Sequence, residues 1–326
     1  MVRRIAVAVV TALAAASWAH VAGAAGAEGF PNRPARLIVP FPPGGPADIL
    51  GRALAEKFHK LWGQPVVVLN KDGAGTIIGV DLAAKATPDG YTMLLGSSAM
   101  TINSGLGRKL PYDLHKDLEP VSMAFRQPLV LIVHPSVPAT NVKEFVALAK
   151  SQPGRLRYGS SGVATSIHLT TALFASATGI ELTHIPYKGV APAMIDLLSG
   201  QVEIVFSGIT GTVQHIRSGR LRGIGVSSRT RSPLLPELAT FIESGVADFE
   251  VTGWYGIVLP AGVPRPVFRR IQADLKTAVE MPDVRERLAQ QGGEGVTMTP
   301  EAFADFIRSE VKRWGAVVRS AGIKVE

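Results

Sequence analysis

Short runs of apolar residues, many of them β-branched, alternate with helical patterns along most of this 326-residue chain. Pro65–Leu69 and Leu129–Val133 are two of these predicted strands, and a segment with helically spaced apolar residues follows each of them. This alternation is typical of mainly parallel sheets with helices on both faces. The sequence therefore predicts a doubly wound α/β fold, and its length allows two domains. Ligands bind such sheets at the carboxyl ends of the strands.

The first of these strand ends, Arg36–Asp48, contains a strand, a glycine loop and a helix start in immediate succession. Gly44 and Gly45 allow the backbone to approach a ligand closely, and Pro46 suits the first turn of a helix. A helix start presents unpaired N–H groups and the positive end of the helix dipole, which suits an anion. An ordinary tight turn between strand and helix would use the same residues. Asp48 either helps to satisfy the N–H groups of the first helical turn or contacts an ammonium group or a bridging water.

Three further strand ends are rich in glycine, serine and threonine, and with the first loop they form a set of four. The four loops are Phe41–Asp48, Gly96–Asn103, Gly159–Ser166 and Tyr187–Pro192. Hydroxyl groups in such loops either cap the following helix or donate hydrogen bonds to a ligand. Neutral donors bind a carboxylate without a buried counter-charge, and each charge-assisted hydrogen bond contributes on the order of 1.5–3 kcal/mol. The residues alone therefore favour a protein that binds a small anion.

Patterns for catalysis, metal binding and nucleic-acid binding are weak. The chain has no G-x-S-x-G motif, and a hydrolase, as an alternative to binding, would have to pair Ser160 or Ser161 with His168. The histidines are scattered and cysteine is absent, so neither a metal site nor a disulfide is predicted. Gly73–Gly79 has one residue too many for the dinucleotide motif G-x-G-x-x-G, and close helix–sheet packing accounts for its glycines. The formal charge of +8 is spread along the chain, which argues against nucleic acid. No cofactor and no enzymatic activity are expected.

The first 27 residues have the pattern of a secretory signal. Arg3 and Arg4 precede the apolar segment Ile5–Ala16, and Ala25–Ala27 offers a small-residue cleavage site before Glu28. The apolar run is too short and too rich in alanine to span a bilayer well. The mature protein is therefore expected in the periplasm.

Three predictions concern local structure. The proline-bearing segment Leu110–Val121 is predicted to be a connection that precedes the strand Leu129–Val133. Asn141 and Glu144 are predicted to form a helix-capping pair. Two helices are predicted to close the chain, and the apolar stripe of the last one is predicted to lie in the core. The stripe consists of Phe303, Phe306, Ile307, Val311, Trp314 and Val318.

Several segments, in the same order along the chain, resemble a known family. They are PFPPGGPAD at 40–48, THIPYKG and APAMIDLLSGQVE within 183–203, IRSGRLRGIGVSS at 216–228, SPLLPELATF at 232–241 and GWYGIVLPAGVP at 253–264. The chain is similar to the Bug-type solute receptors, which are the extracytoplasmic binding components associated with tripartite tricarboxylate transporters. The resemblance covers essentially the whole mature chain.

This resemblance implies a type II periplasmic binding protein fold, in which two α/β lobes flank a ligand cleft. Lobe I would comprise residues 28–127 and 252–326, and lobe II would comprise residues 128–251. Two crossing strands, near Gln127–Leu129 and Val251–Trp254, would form the hinge.

The resemblance also implies that the loops at 40–48 and 186–192 hold a carboxylate across the cleft, partly through ordered water. The ligand would be a mono-, di- or tricarboxylate or an acidic amino acid. The receptor would act as a monomer and would deliver the ligand to the permease subunits in the membrane. An alternative is a periplasmic sensor that presents the same ligand-bound form to a signalling receptor.

Carried over position by position, the resemblance assigns thirteen ligand-binding residues. They are Phe41, Gly44, Gly45, Asp48, Ser97, Ser98, Ser160, Ser161, Thr165, Tyr187, Lys188, Gly189 and Ser207. Family members usually have aspartate where this chain has Ser207, and they commonly have KGSGPA or KGGAPA where it has Lys188–Pro192. The serine indicates that a different distal group of the ligand is recognised. Lys188 would be either a cation in the cleft or a solvated lysine.

Overall fold

The computed structural model describes residues 29–323, so the predicted signal segment at 1–27 lies outside the described residues. The strands are β1 (Ala35–Val39), β2 (Val66–Asn70), β3 (Thr92–Ser97), β4 (Leu118–Val133), β5 (Arg157–Ser160), β6 (Thr183–Pro186), β7 (Ile204–Gly208), β8 (Arg222–Val226), β9 (Thr252–Pro260) and β10 (Glu294–Gly295). The α-helices are α1 (Pro46–Trp62), α2 (Ile77–Ala84), α3 (Ser98–Gly105), α4 (Val142–Ser151), α5 (Ser166–Thr178), α6 (Val190–Leu198), α7 (Val213–Arg217), α8 (Arg265–Glu280), α9 (Pro282–Gln290) and α10 (Pro300–Ser320).

The strands form two sheets that share the long strand β4. In the first sheet the order is β2-β1-β3-β9-β4, with β10 also on β4. In the second sheet β4 pairs with β7 and β8, and β7 continues to β5 and β6. β1 is parallel to β2 and β3, and β5 is parallel to β6 and β7. The predicted alternation of parallel strands and helices is confirmed.

β4 is longer than the sequence predicts. The segment around Leu118–Pro128, predicted in part to be a connection, pairs with β9, and the remaining residues pair with β7 and β8. Two prolines concealed this strand, because proline has no N–H for a ladder hydrogen bond. Pro120 lies at a shift of register and Pro128 forms the last pair with β9. β4 and β9 therefore form a crossing pair that connects the two sheets.

The last helix, α10, packs on both sheets. Phe303 and Ile307 lie in the apolar cluster of the first sheet that includes Trp254, whereas Trp314 and Val318 lie in the cluster of the second sheet. The prediction that its apolar stripe is core is confirmed. The prediction of two closing helices was incomplete, because the short helix α9 follows α8 directly at a proline.

The predicted capping pair is also confirmed, because the N–H of Glu144 donates to Asn141 Oδ1 at 3.0 Å. Within residues 29–323, no helix has both the length and the apolar character that crossing a membrane requires.

Candidate functional site

The carboxyl ends of β3 and β7 reach the crossing strands from opposite edges. Ser97, at the end of β3, pairs with Tyr255 of β9, which in turn pairs with Phe125 of β4. Gly208, at the end of β7, pairs with Leu129 of β4. Phe125 and Leu129 are four residues apart, which is about 13 Å along a strand. The loops after β3 and β7 therefore leave the two sheets close to one another.

In the loop after β1, the carboxylate of Asp48 is buried and accepts three hydrogen bonds. They come from Gly44 N, Arg52 Nε and Asn70 Nδ2, each at 2.9 Å. The bond from Arg52, together with those from Gly44 and Asn70, lowers the pKa of Asp48 to about 2. Asn70 also donates to the carbonyl of Phe41 at 3.1 Å. Asp48 thus stabilises the loop from within, and its three donors were not among the predicted contacts.

The two glycines of this loop present open backbone. Gly44 has a φ of +84°, which favours glycine, whereas Gly45 is the N-cap of α1 with an extended backbone. Apart from the adjacent residues, no described heavy atom lies within 4 Å of where a β-carbon would stand at either position. The ring of Phe41 lies edge-on to Tyr255, with ring centroids 6.0 Å apart. The loop therefore offers main-chain groups beside an aromatic wall.

The loop after β5 is held by its own hydroxyl groups. Ser160 Oγ accepts from Gly162 N at 3.1 Å, and Thr165 Oγ1 donates to the carbonyl of Gly162 at 2.8 Å. Ala164 has a φ of +59°, which residues with a β-carbon rarely adopt. Its N–H donates to His168 Nδ1 at 2.9 Å. This loop is therefore strained at one residue and braced at that residue by an imidazole.

A second histidine completes the brace. The rings of His168 and His184 are stacked with centroids 3.8 Å apart, and Tyr158 stacks on His184 at 4.8 Å. His184 Nε2 lies 2.7 Å from Ser160 Oγ. Burial lowers the pKa of both histidines, and together with the neighbouring His184 it brings the pKa of His168 to about 4.

The structure does not form the Ser160–His168 pair, which is one of the two pairs that the hydrolase alternative named. Ser160 is bonded to His184, and the Nδ1 atom of His168 accepts from Ala164 instead. Ser160 is also 0% exposed, so that its hydroxyl cannot reach a substrate, and a nucleophile must do so.

Four of the predicted hydroxyl groups make no hydrogen bond to another described residue. Ser97 is buried and its Oγ is unpartnered within the described chain, and Ser98 and Ser161 are half-buried. Ser207 is 6% exposed and pairs with Val130 of β4. These hydroxyls, unlike those of Ser160 and Thr165, have no partner among the described residues, and those of Ser98 and Ser161 belong to half-buried residues that a ligand can reach.

The loop after β6 contacts the loop after β5. Tyr187 N donates to the carbonyl of Ser160 at 3.1 Å, and its hydroxyl donates to Asp196 Oδ2 at 2.7 Å. Burial and this hydrogen bond raise the pKa of Tyr187 to about 12. Lys188 is exposed and makes no ion pair with a described residue, while Gly189 has a φ of +108° at the start of α6. No described hydrogen bond joins these two loops to the loop after β1.

The helices that follow these strand ends begin without a side-chain cap. Their N-cap residues are Gly45, Ser97, Thr165 and Gly189. By contrast, Asn141 caps α4 and Thr299 caps α10. α2, α7, α8 and α9 also begin without a side-chain cap, and α2 and α7 likewise follow strand ends. The four helix starts named here are the ones that follow the predicted ligand-binding loops. The free N–H groups at these helix starts can donate hydrogen bonds to an anion.

The residues that hold the loops were not among the predicted site residues, apart from Asp48 and Ser160. Arg52 is four residues after Asp48, a helical spacing that could have suggested the pair. Asn70 is the polar last residue of an apolar strand. His184 could be placed only from the pairing of β5 with β6, in which it lies opposite Tyr158.

A cavity of about 390 Å³ lies on the other face of the crossing strands. Arg126, Pro128 and the segments at 228–234 and 289–294 contribute to its lining, and alternation along β4 turns Arg126 away from the side of Phe125. None of the predicted ligand-binding residues lines it. In residues 29–323, no three histidine or carboxylate side chains are grouped as metal ligands would be.

Two α/β sheets joined by crossing strands, with helices that begin without a side-chain cap at strand ends of both sheets, define a solute-binding protein of the periplasmic type. The sequence model of the tripartite tricarboxylate transporter family receptors, TctC, matches residues 50–323. The chain belongs to this family, so the predicted Bug-type membership is confirmed. It is 37% identical to protein BugT of Bordetella pertussis, over 94% of this chain and 95% of that protein. It is 39% identical to the UPF0065 protein in the tcbD-tcbE intergenic region of Pseudomonas sp. strain P51, over 89% of this chain and 87% of that protein.

Solved structures confirm the predicted fold class. Periplasmic binding protein BugD is 35% identical, with a TM-score of 0.75 over 91% of this chain and 100% of that chain. R. palustris Rpa4515, solved with adipate, is 32% identical, with a TM-score of 0.76 over 90% of this chain and 99% of that chain. MatC from Rhodopseudomonas palustris, solved with bound malate, is 29% identical, with a TM-score of 0.73 over 89% of this chain and 100% of that chain.

Proposed function

We propose that this protein is exported to the periplasm, captures a small carboxylate between its two sheets without altering it, and delivers it as a monomer to tripartite tricarboxylate transporter permease subunits. The observation that carries the proposal is the set of four helix starts without a side-chain cap at strand ends of both sheets, two after β1 and β3 and two after β5 and β6. Free N–H groups, the positive ends of helix dipoles and unpartnered hydroxyls are the groups that a carboxylate requires.

The charge of the first loop is compatible with an anionic ligand. Asp48 would repel a carboxylate if its charge were uncompensated, but Arg52 bonds to it at 2.9 Å. The remaining groups of the loop are neutral main-chain donors at Gly45 and the first turn of α1. A ligand carboxylate therefore meets partial positive charge there.

The hydroxyls that make no described hydrogen bond identify the side chains that would contact the ligand most directly. Ser97 and Ser98 would do so from the first sheet, and Ser161 and Ser207 from the second. Ser160, Thr165 and Tyr187 would act mainly by shaping their loops, because their hydroxyls already bond within the protein.

Closure of the site would be a rotation of two lobes about β4 and β9. Lobe I would comprise residues 28–127 and 252–326, and lobe II residues 128–251. In this arrangement the loops after β1 and β3 move with lobe I, and those after β5, β6 and β7 move with lobe II. A ligand that bonds to both sets of loops stabilises the closed form, which is the form that a permease would recognise.

A thermal-shift and calorimetric panel tests the proposal. The panel contains malate, adipate, citrate and glutamate, and adipamide serves as the neutral counterpart of adipate. A ligand at about 100 times its dissociation constant adds about 2.7 kcal/mol to the free energy of unfolding. Stabilisation by at least one acid and none by adipamide supports the proposal. Equal stabilisation by adipate and adipamide, or none by any acid, contradicts it.

Delivery is tested separately in vesicles that contain the permease subunits. Uptake of the labelled ligand should require this receptor, and Ser161→Ala should lower uptake in proportion to its loss of affinity. Uptake that proceeds equally well without the receptor would contradict the delivery step while leaving ligand binding intact.

A further inference from the structure

We infer that His168 and His184 are positioning residues, which as a neutral stacked pair hold the Ser160–Thr165 loop in its ligand-binding shape, so that protonation of the pair weakens binding. This inference rests on the proposed function, because it assigns a role to the loop of that same site. Neither histidine needs to contact the ligand.

His168 holds the strained residue of the loop. Ala164 is 6% exposed and has a φ of +59°, a conformation that costs about 1–2 kcal/mol for a residue with a β-carbon. Its N–H would be left without a partner if His168 Nδ1 did not accept from it at 2.9 Å. The hydrogen bond therefore favours the one backbone conformation that joins the loop to α5.

His184 holds the other end of the loop. Its Nε2 atom lies 2.7 Å from Ser160 Oγ, and the same hydroxyl accepts from Gly162 N at 3.1 Å. Ser160 is the last residue of β5, and its carbonyl accepts from Tyr187 N. His184 thus fixes the point at which the loops after β5 and β6 meet.

The geometry requires His168 to be neutral and disfavours a charge on each of the two stacked rings. A protonated imidazole carries hydrogen on both ring nitrogens and cannot accept from Ala164 N. The two rings are stacked with centroids 3.8 Å apart, and two positive charges at that separation repel strongly in a partly buried site. Protonation therefore removes the acceptor for Ala164 and separates the rings.

Charged groups on the packed elements do not compensate. On β5, Tyr158 stays protonated because burial raises its pKa, and Arg157 forms an ion pair with Glu203. On α10, which packs on α5, Arg313 pairs with Glu310 at 2.6 Å. β7 and α3, which also pack on α5, carry no titratable residue among 204–208 and 98–105. The carboxylates of Glu203 and Glu310 are thus each paired with an arginine, and Asp196, on the helix α6 that packs on β5, accepts from the hydroxyl of Tyr187.

Two substitutions at residue 168 distinguish the effect of the hydrogen-bond acceptor from that of the volume of the ring. In His168→Asn, Oδ1 stands where Nδ1 stood and can accept from Ala164, whereas His168→Leu provides volume without an acceptor. With malate and adipate as titrants at pH 7.5, we expect His168→Leu to weaken binding about tenfold or more and His168→Asn to weaken it less than about threefold. His59→Asn, on an exposed face of α1, is the control and should leave affinity unchanged.

A pH series tests the role of charge. Affinity should fall more steeply between pH 6 and pH 3.5 in the wild type than in the double variant His168→Asn/His184→Gln. Titration of the ligand affects both proteins equally, so the difference between the two slopes reports on the histidines alone. Equal slopes in the two proteins, or wild-type affinity in a folded His168→Leu variant, would overturn the inference.

Hydrogen exchange of the Ala164 amide provides a readout that needs no ligand. Exchange should accelerate about tenfold or more in His168→Leu and little in His168→Asn. Unchanged exchange in His168→Leu contradicts the brace itself. If no carboxylate binds but exchange responds as expected, the proposed function fails while the brace stands.

Discussion

The loop after β1 and the loop after β5 occupy corresponding positions at the carboxyl ends of parallel strands, yet they are stabilised by opposite means. The first is held by a charged group, because the Asp48 carboxylate bonds to Arg52, Asn70 and Gly44 N. The second is held by neutral groups, because His168 and His184 bond to Ala164 N and Ser160. In both loops the residues that hold the backbone do not cap the helix that follows, so the first N–H groups of that helix have no side-chain partner.

Because one loop is held by a charged group and the other by neutral groups, the two loops differ in the pH range over which their hydrogen bonds are stable. The charged brace stays intact above about pH 4, since the pKa of Asp48 is lowered to about 2. The neutral brace depends on histidines, which gain protons at higher pH in an unfolded chain. The two loops should therefore respond to different substitutions and to different ranges of pH.

The largest expected effect comes from Gly45→Val in the first loop. No described atom beyond the adjacent residues lies within 4 Å of the β-carbon position, and the extended backbone of Gly45 accepts any residue. We expect the free energy of unfolding to change by less than about 0.5 kcal/mol. The branched side chain should obstruct the ligand-facing backbone and lower affinity about 100-fold, or about 2.7 kcal/mol.

Calorimetry and urea unfolding on the same preparation measure the two quantities. Gly162→Val in the second loop is the comparison, since its φ of +130° makes any side chain strained and should lower stability as well. Equal losses of affinity and stability in Gly45→Val would mark that glycine as a structural turn residue.

Asp48→Asn should have the next largest effect, and it should act on stability. The amide removes the charge that Arg52 neutralises and can accept only some of the three hydrogen bonds. We expect a loss of about 2 kcal/mol in the free energy of unfolding. Asp72→Asn, at an exposed carboxylate in the loop after β2 that makes no ion pair with a described residue, is the matched control. A stability within error of the wild type would show that the charge does not hold the loop.

The sequence predicted the positions of loops and helices well, but it did not predict the tertiary contacts that hold them in place. The four loops at strand ends and the apolar stripe of α10 follow from hydrophobic periodicity, which depends on local spacing. The full length of β4 could not be recognised, because the sequence does not reveal the register shift beside Pro120. Without it, Pro120 and Pro128 argue against a continuous strand. The pairing of Ser160 with His184 depends on the register between β5 and β6, which no local pattern encodes.

The candidate site shows the same limit. Residue types indicated which hydroxyls stand at strand ends, but not which of them already bond within the protein. Ser160 and Ser161 are adjacent and chemically identical, yet Ser160 is fully buried and bonded, whereas Ser161 makes no side-chain hydrogen bond to another described residue. Only the fold distinguishes a residue that shapes a loop from one that is free for a ligand.

Mild acid should weaken the second loop before the first. The pKa values of His168 and His184 are lowered in the folded protein, so the unfolded chain binds more protons below about pH 6.5. The free energy of unfolding should therefore fall by about 1–2 kcal/mol between pH 7 and pH 5 through His168, and His184 contributes a further loss in the same direction. Asp48 contributes stability that is fully present above about pH 3.8 and is lost as the pH falls toward about 2.

Urea midpoints at pH 7 and pH 5 measure this loss, and His168→Asn should reduce it whereas Asp48→Asn should not. A loss of the same size in the His168→Asn protein would mean that groups outside the second loop titrate in this range.

Tyr187→Phe should have the smallest effect, and it distinguishes shaping from contact within the second loop. The hydroxyl of Tyr187 donates to Asp196 at 2.7 Å, so its removal should lower the free energy of unfolding by about 0.5–1.5 kcal/mol. Affinity for a carboxylate should change less than about threefold, because the ring and the N–H bonded to Ser160 remain. Isothermal calorimetry and urea unfolding compare the two effects, and Tyr91→Phe, which removes a hydroxyl bonded to Asn32 just before β3, is the control. A tenfold loss of affinity at unchanged stability would mean that the hydroxyl leaves Asp196 to bind the ligand, and the second loop would then contribute a mobile donor in addition to its fixed main-chain groups.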